Sequence, residues 1–147
     1  MIKIAIVGTG GIAEWHASAF KNHKDSEVIA ACDVNDDRLN EFCNKFQVEN
    51  RYHSVDELLA NNEIVAVTNT TPDAFHKEIS IKAIKKNKHI FCEKPLAENF
   101  EDAKLMCKAL EGKNLINMVN FSYRNSSGYQ ELCKIVKSGK IGNVFHM

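Results

Sequence analysis

A chain of 147 residues, 44% hydrophobic and 26% charged, is long enough to bury a core of its own. Nineteen basic residues balance nineteen acidic ones without a long run of either sign, which argues against a nucleic acid or an anionic membrane as partner. Five scattered cysteines, with no CxxC pair and no Cys/His cluster of zinc spacing, predict reduced thiols, no metal site and a cytoplasmic location.

The apolar run Ile2–Val7 predicts a first strand and is too short for a signal peptide or a membrane span. From Gly11 to about Asn22 the spacing of Ile12, Trp15, Ala19 and Phe20 predicts a helix with those residues as its apolar stripe. Val28–Cys32 reads as a second strand, and Leu39, Phe42, Cys43 and Phe46 mark a helix over Asp36–Phe46. A short strand near Arg51–His53 precedes Ser54-Val55-Asp56-Glu57, a capping-box start for a brief helix. Ile64–Thr68 is a fourth strand. Asp73 is a candidate cap for a helix to about Lys86, with Lys85, Lys86 and Lys88 at its negative end. Ile90–Cys92 is a fifth strand, Phe100–Leu110 a helix stopped by Gly112, Leu115–Val119 a sixth strand, and Gly128–Lys137 a further helix. Val144–Met147 reads as the start of another strand. Alternation of this kind predicts parallel βαβ units, hence an α/β, Rossmann-type doubly wound sheet.

Gly8-Thr9-Gly10-Gly11-Ile12-Ala13 satisfies GxGxxG/A between a strand and a helix. Gly8 permits the tight turn, Gly10 lets a pyrophosphate approach the backbone, and Ala13 lets the helix pack closely on the sheet. The free amides of the first helical turn, including those of Gly11 and Ile12, then face the phosphates. Asp33 ends the second strand about 20 positions beyond Ala13, where the fingerprint places a carboxylate for the adenosine ribose. The competing reading of Asp33 is a strand-end turn or a cap for the helix at Asn35–Asp36. A carboxylate there repels a 2′-phosphate, so NAD is favoured over NADP; Arg38, within the next helix, reads as a solvated charge.

The order of Asn69-Thr70-Thr71-Pro72, His76, Glu93-Lys94-Pro95-Leu96-Ala97 and Asn120-Phe121-Ser122-Tyr123-Arg124 after that loop resembles the N-terminal half of the Gfo/Idh/MocA oxidoreductases. This is the family of glucose–fructose oxidoreductase and inositol dehydrogenase. The resemblance runs along essentially the whole chain and implies bound NAD(P) with hydride transfer to or from a sugar, polyol or related carbonyl or alcohol.

It also implies particular roles. Lys94 sits beside the reacting carbon as the catalytic residue, Glu93 binds the nicotinamide-side ribose, and the Lys94–Pro95 bond is often cis. Thr70, Thr71, Pro72, His76, Asn120 and Arg124 lie along the cofactor, with Tyr123 near its nicotinamide end. Plainer readings stand beside these. Glu93-Lys94-Pro95 also fits a simple strand-to-helix turn, His76 a surface position, Tyr123 a core residue and Arg124 an ion pair. His16, His23, His53, His89 and His146 read as structural or exposed, and Cys32 and Cys92 as small apolar packing residues.

Residues 1–123 are expected to form the dinucleotide-binding domain. Residues 124–147 would be a connecting helix and the first strand of a truncated substrate domain, the complete enzyme a homo-oligomer and this chain alone inactive. The alternatives are a non-catalytic NAD-binding sensor and a methyltransferase using S-adenosylmethionine, the latter disfavoured by Glu93-Lys94-Pro95.

Overall fold

The computed structural model describes residues 1–145. Six parallel strands form one sheet: β1 (Ile2–Val7), β2 (Ser26–Cys32), β3 (Asn50–Tyr52), β4 (Ala66–Asn69), β5 (His89–Glu93) and β6 (Asn117–Asn120). Their spatial order is β3-β2-β1-β4-β5-β6. The helices are α1 (Gly11–Lys21), α2 (Asp36–Phe46), α3 (Val55–Ala60), α4 (His76–Lys85), α5 (Phe100–Ala109) and α6 (Ser127–Lys137), with 3₁₀ turns at Asp73–Phe75 and Ser122–Asn125. No helix among the described residues is long and apolar enough to cross a membrane.

The strands alternate between two cores, as the twofold period of a strand requires. Ala5, Val7, Ala30 and Cys32 pack on one face with Leu58, Leu59, Ile79, Ala83 and Ile84. Ile6 and Ala31 turn to the other face and meet Ala13, Ala17, Leu39, Phe42 and Cys43. Both faces of β1 are thus buried over Ile4–Val7, which is why that stretch is continuously apolar rather than alternating.

The stripe expected on the first helix is displaced. Trp15 is 77% exposed and Ile12 43%, whereas Ala13, His16 and Ala17 are buried with Phe20 packed beside them. Ala13 and Ala17 let this helix lie close to the sheet, so the inner face runs Ala13, His16, Ala17, Phe20, and Ile12, Trp15 and Ala19 turn outward.

Three local expectations also shift. Asp73 does not cap α4; it opens a 3₁₀ turn after Pro72, and α4 begins only at His76. Lys88 does not serve the helix dipole: its buried Nζ donates to the carbonyls of Asn61 (3.1 Å) and Ile64 (2.7 Å). The sixth strand starts at Asn117 because the Ile116 amide is taken by His89 Nδ1 at 3.0 Å. No residue of α6 is buried. Of the strand expected at Val144–Met147, Val144 and Phe145 carry no regular structure, and His146 and Met147 lie outside the described residues.

Candidate functional site

Parallel strands bring all their C-terminal ends to one edge, and the strand order reverses between β1 and β4. Connections diverge from such a point and leave a crevice. Gly8 follows β1 there and Thr70 follows β4. Gly8 has φ +88°, and a Cβ on it would stand 2.9 Å from the Thr71 nitrogen and 3.0 Å from the Thr70 carbonyl. The Thr70 hydroxyl faces the carbonyls of Gly8 (2.7 Å) and Val7 (3.1 Å), stapling the two loops together.

Gly10 and Gly11 differ from Gly8, since a Cβ on either would meet nothing within 4 Å. Gly10 is the N-cap of α1 and supplies no side-chain cap, whereas Asn35, Ser54, Asn99 and Ser126 cap α2, α3, α5 and α6. The opening amides of α1, among them those of Gly11 and Ile12, therefore border open space in front of a helix N-terminus, the arrangement that suits a phosphate.

Asp33, just past β2, is buried. Its Oδ2 accepts from the Thr9 amide (2.8 Å) and hydroxyl (2.9 Å). Its Oδ1 accepts from the Asn35 amide (2.9 Å) and the Arg38 guanidinium (3.2 Å). Burial alone would push this carboxyl up, but the bonds from Asn35, Thr9 and Arg38 outweigh it and hold the group below its ordinary value. Arg38 is thus not simply solvated: from the first turn of α2 it reaches back to the sheet edge. Beside it lies a cavity of about 420 Å³ lined by Gly8, Asp33, Arg38, His53, Pro72 and Phe75.

At the other side of the crevice β5 ends in Glu93, also buried. Its Oε1 accepts from His16 Nε2 at 2.7 Å and from Asn120 Nδ2; its Oε2 accepts from the Lys94 amide at 3.1 Å. Desolvation again pushes the carboxyl up, and Asn120, His16 and the Lys94 amide more than reverse it. Lys94 is exposed, and its Nζ has no hydrogen bond or ion pair among the described residues. The Lys94–Pro95 peptide is cis.

His76 is 1% exposed, which removes the surface reading. Its Nδ1 lies 2.7 Å from the Pro95 carbonyl and its Nε2 2.8 Å from that of Thr71. The 3₁₀ turn swings it inward, where it ties the loop after β4 to the loop after β5. Thr71 in turn bonds Asn69 Oδ1 through both amide and hydroxyl. Arg124 and Tyr123 stand apart in the exposed 3₁₀ turn after β6; Arg124 lines a shallow cleft with Met118, Val119 and Phe121.

Cys32 and Cys92 are buried, and desolvation first, then the neighbouring carboxylates, pushes each thiol up to about 11 (for Cys92, against a bond from Ser80). They pack as small apolar groups. His16 is the residue the sequence reading missed. In the sequence it stood only as a histidine four residues from Ile12 and from Phe20, and nothing local tied it to Glu93.

A family model described as "Oxidoreductase family, NAD-binding Rossmann fold" matches residues 2–121. Over 144 residues the chain is 33% identical to glucose-6-phosphate 3-dehydrogenase of Bacillus subtilis, covering 98% of this chain and 40% of that protein. Over 141 residues it is 33% identical to myo-inositol 2-dehydrogenase of Thermotoga maritima, covering 96% and 42%. The crystal structure of scyllo-inositol dehydrogenase from Lactobacillus casei with NAD(H) and scyllo-inositol superposes with a TM-score of 0.91 at 28% identity, over 97% of this chain and 43% of that one. The chain spans about two fifths of the length of these relatives.

Proposed function

The chain belongs to the Gfo/Idh/MocA oxidoreductase family, within its NAD-binding Rossmann fold, and from that membership we propose that it binds NAD(H) and serves a dehydrogenase acting on a sugar or polyol. One observation carries the reading. The glycine loop, Asp33, Thr70–Pro72, Glu93–Lys94 and Asn120 converge on a single edge of the sheet around its switch point.

The residues present fit the cofactor. The open space over Gly10 and Gly11 admits a pyrophosphate to the first amides of α1. Ionised Asp33 accepts from an adenosine ribose hydroxyl when the exposed Arg38 guanidinium yields its place on Oδ1, and it disfavours a 2′-phosphate, so NAD is preferred. Pro72 and Phe75 wall the adenosine cavity. Glu93 accepts from the second ribose, with Asn120 supporting it and His76 holding the intervening loops in place. When bound, NAD supplies the acceptance or release of a hydride.

Lys94 supplies the polar half of the reaction. Its unengaged ammonium donates to the substrate oxygen, stabilising alkoxide charge as it develops and passing a proton. Arg124 and Tyr123 lie toward the nicotinamide end. Residues 1–123 form the dinucleotide-binding unit, and 124–147 lead toward the part that the longer relatives add, which would bind the sugar or polyol and mediate self-association. The unpaired cysteines agree with a reducing, cytoplasmic setting. The named relatives are dehydrogenases, and no observation favours a module that only senses the cofactor.

The test is Lys94→Ala in an enzyme-length protein bearing this domain. Turnover should fall by about 10²–10⁴-fold, the usual worth of a positioned proton donor, while NADH affinity is kept. Retained turnover would refute the role.

A further inference from the structure

His16 lies beneath the ribose-facing carboxylate and has no part in the roles assigned so far. It is 6% exposed, and its ring sits against Phe91 and Phe20 with centroids 5.1 and 6.3 Å away. Its Nδ1 is buried with no hydrogen-bond partner. A polar atom left this way is a standing cost that an apolar side chain would avoid, so packing alone does not account for a histidine here. What the ring contributes is Nε2, 2.7 Å from Glu93 Oε1.

The partner is a carboxylate, so Nε2 carries the proton and donates. Asn120 Nδ2 stands 3.2 Å from the same nitrogen. Both atoms are donors, and their closeness reflects convergence on Oε1 rather than a bond between them. Two donors on one oxygen stop the carboxylate from turning about its last bond. Glu93 Oε2 accepts from the Lys94 amide and keeps a lone pair for a further donor.

We propose that His16 is a positioning residue: with Asn120 it pins Glu93 Oε1 from below, so that Oε2 is presented to the hydroxyls of the nicotinamide ribose. The role rests on the reading of Glu93 as a ribose ligand. It gives this helix two duties toward one cofactor, its N-terminus toward the pyrophosphate and its inner face, about one and a half turns later, toward the far ribose.

The test compares the 147-residue chain with His16→Phe, titrating each with NADH, which carries the second ribose and nicotinamide, and with ADP, which carries neither. His16→Phe is expected to weaken NADH by about tenfold, the worth of one charge-assisted hydrogen bond, and to leave ADP unchanged. A paired control separates positioning from packing: His16→Gln places an amide donor near Nε2 and should restore NADH affinity, whereas His16→Asn is too short to reach Glu93 and should not. Equal weakening toward NADH and ADP, unchanged NADH affinity in His16→Phe, or equal behaviour of the Gln and Asn variants would each overturn the positioning role. Failure of the unaltered chain to bind NADH would instead sink the cofactor reading on which it rests.

Discussion

Gly8 and Gly10, two residues apart in the same loop, should fail in opposite ways when each becomes alanine. Gly8 has φ +88°, and its added Cβ would press on backbone atoms of Thr70 and Thr71 at 2.9–3.0 Å. The left-handed backbone costs an alanine about 1–2 kcal/mol, and overpacking against backbone that cannot swing aside adds about 1–3 kcal/mol. Gly8→Ala is therefore expected to destabilise by roughly 3 kcal/mol, a fall in melting temperature on the order of 10 °C for a domain of this size. Gly10 has φ −72° and nothing within 4 Å of its would-be Cβ. Its alanine variant should melt within about 2 °C of the parent, because only small capping and chain-entropy effects remain. Yet its methyl group projects into the space assigned to the pyrophosphate, and NADH affinity should fall at least about tenfold. Thermal melts and fluorescence titration with NADH read both quantities. A Gly10→Ala protein that binds NADH normally, or a Gly8→Ala protein as stable as the parent, would refute the division of labour.

Asp33→Asn should weaken NADH by about tenfold through loss of an ionised acceptor, and should narrow the preference for NADH over NADPH in paired titrations; an unchanged ratio would argue against Asp33 as the selecting group. Lys88→Met should lower stability by about 1–3 kcal/mol, because the carbonyls of Asn61 and Ile64 lose their buried donor, as measured by urea denaturation. Asp33 and Glu93 are both held below their ordinary values of 3.8 and 4.5. Their contribution to stability is therefore complete above the unfolded values and is lost as pH falls through the lower folded ones. Melting temperatures should decline below about pH 4.5, and the Asp33→Asn/Glu93→Gln double variant should show a shallower decline.

The sheet was legible because both faces of its central strands are buried, leaving short apolar runs such as Ile4–Val7 that end at a glycine turn and so read as buried strands. Gly8, Gly10 and Asp33 were legible because their requirements are local: a positive φ, an absent side chain, a carboxylate at a strand end. What could not be read depended on long-range partners. Trp15 looked like core because hydrophobicity gives no information on how closely a helix must approach a sheet. His16 became significant only when folding brought Glu93 and Asn120, distant in the chain, to its ring. Lys88 and Arg38 show the same limit. Each carries a charge that sequence places on the surface; Lys88 is buried against carbonyls that the fold supplies, and Arg38, still 57% exposed, bends back to Asp33.

The most direct test of the account is calorimetric titration of the chain itself with NADH. Saturable binding of one NADH per chain, competed by ADP but not by S-adenosylmethionine and weakened at least about tenfold in Gly10→Ala, is the predicted result. No saturable binding by the folded chain, or competition by S-adenosylmethionine as effective as that by ADP, would contradict it.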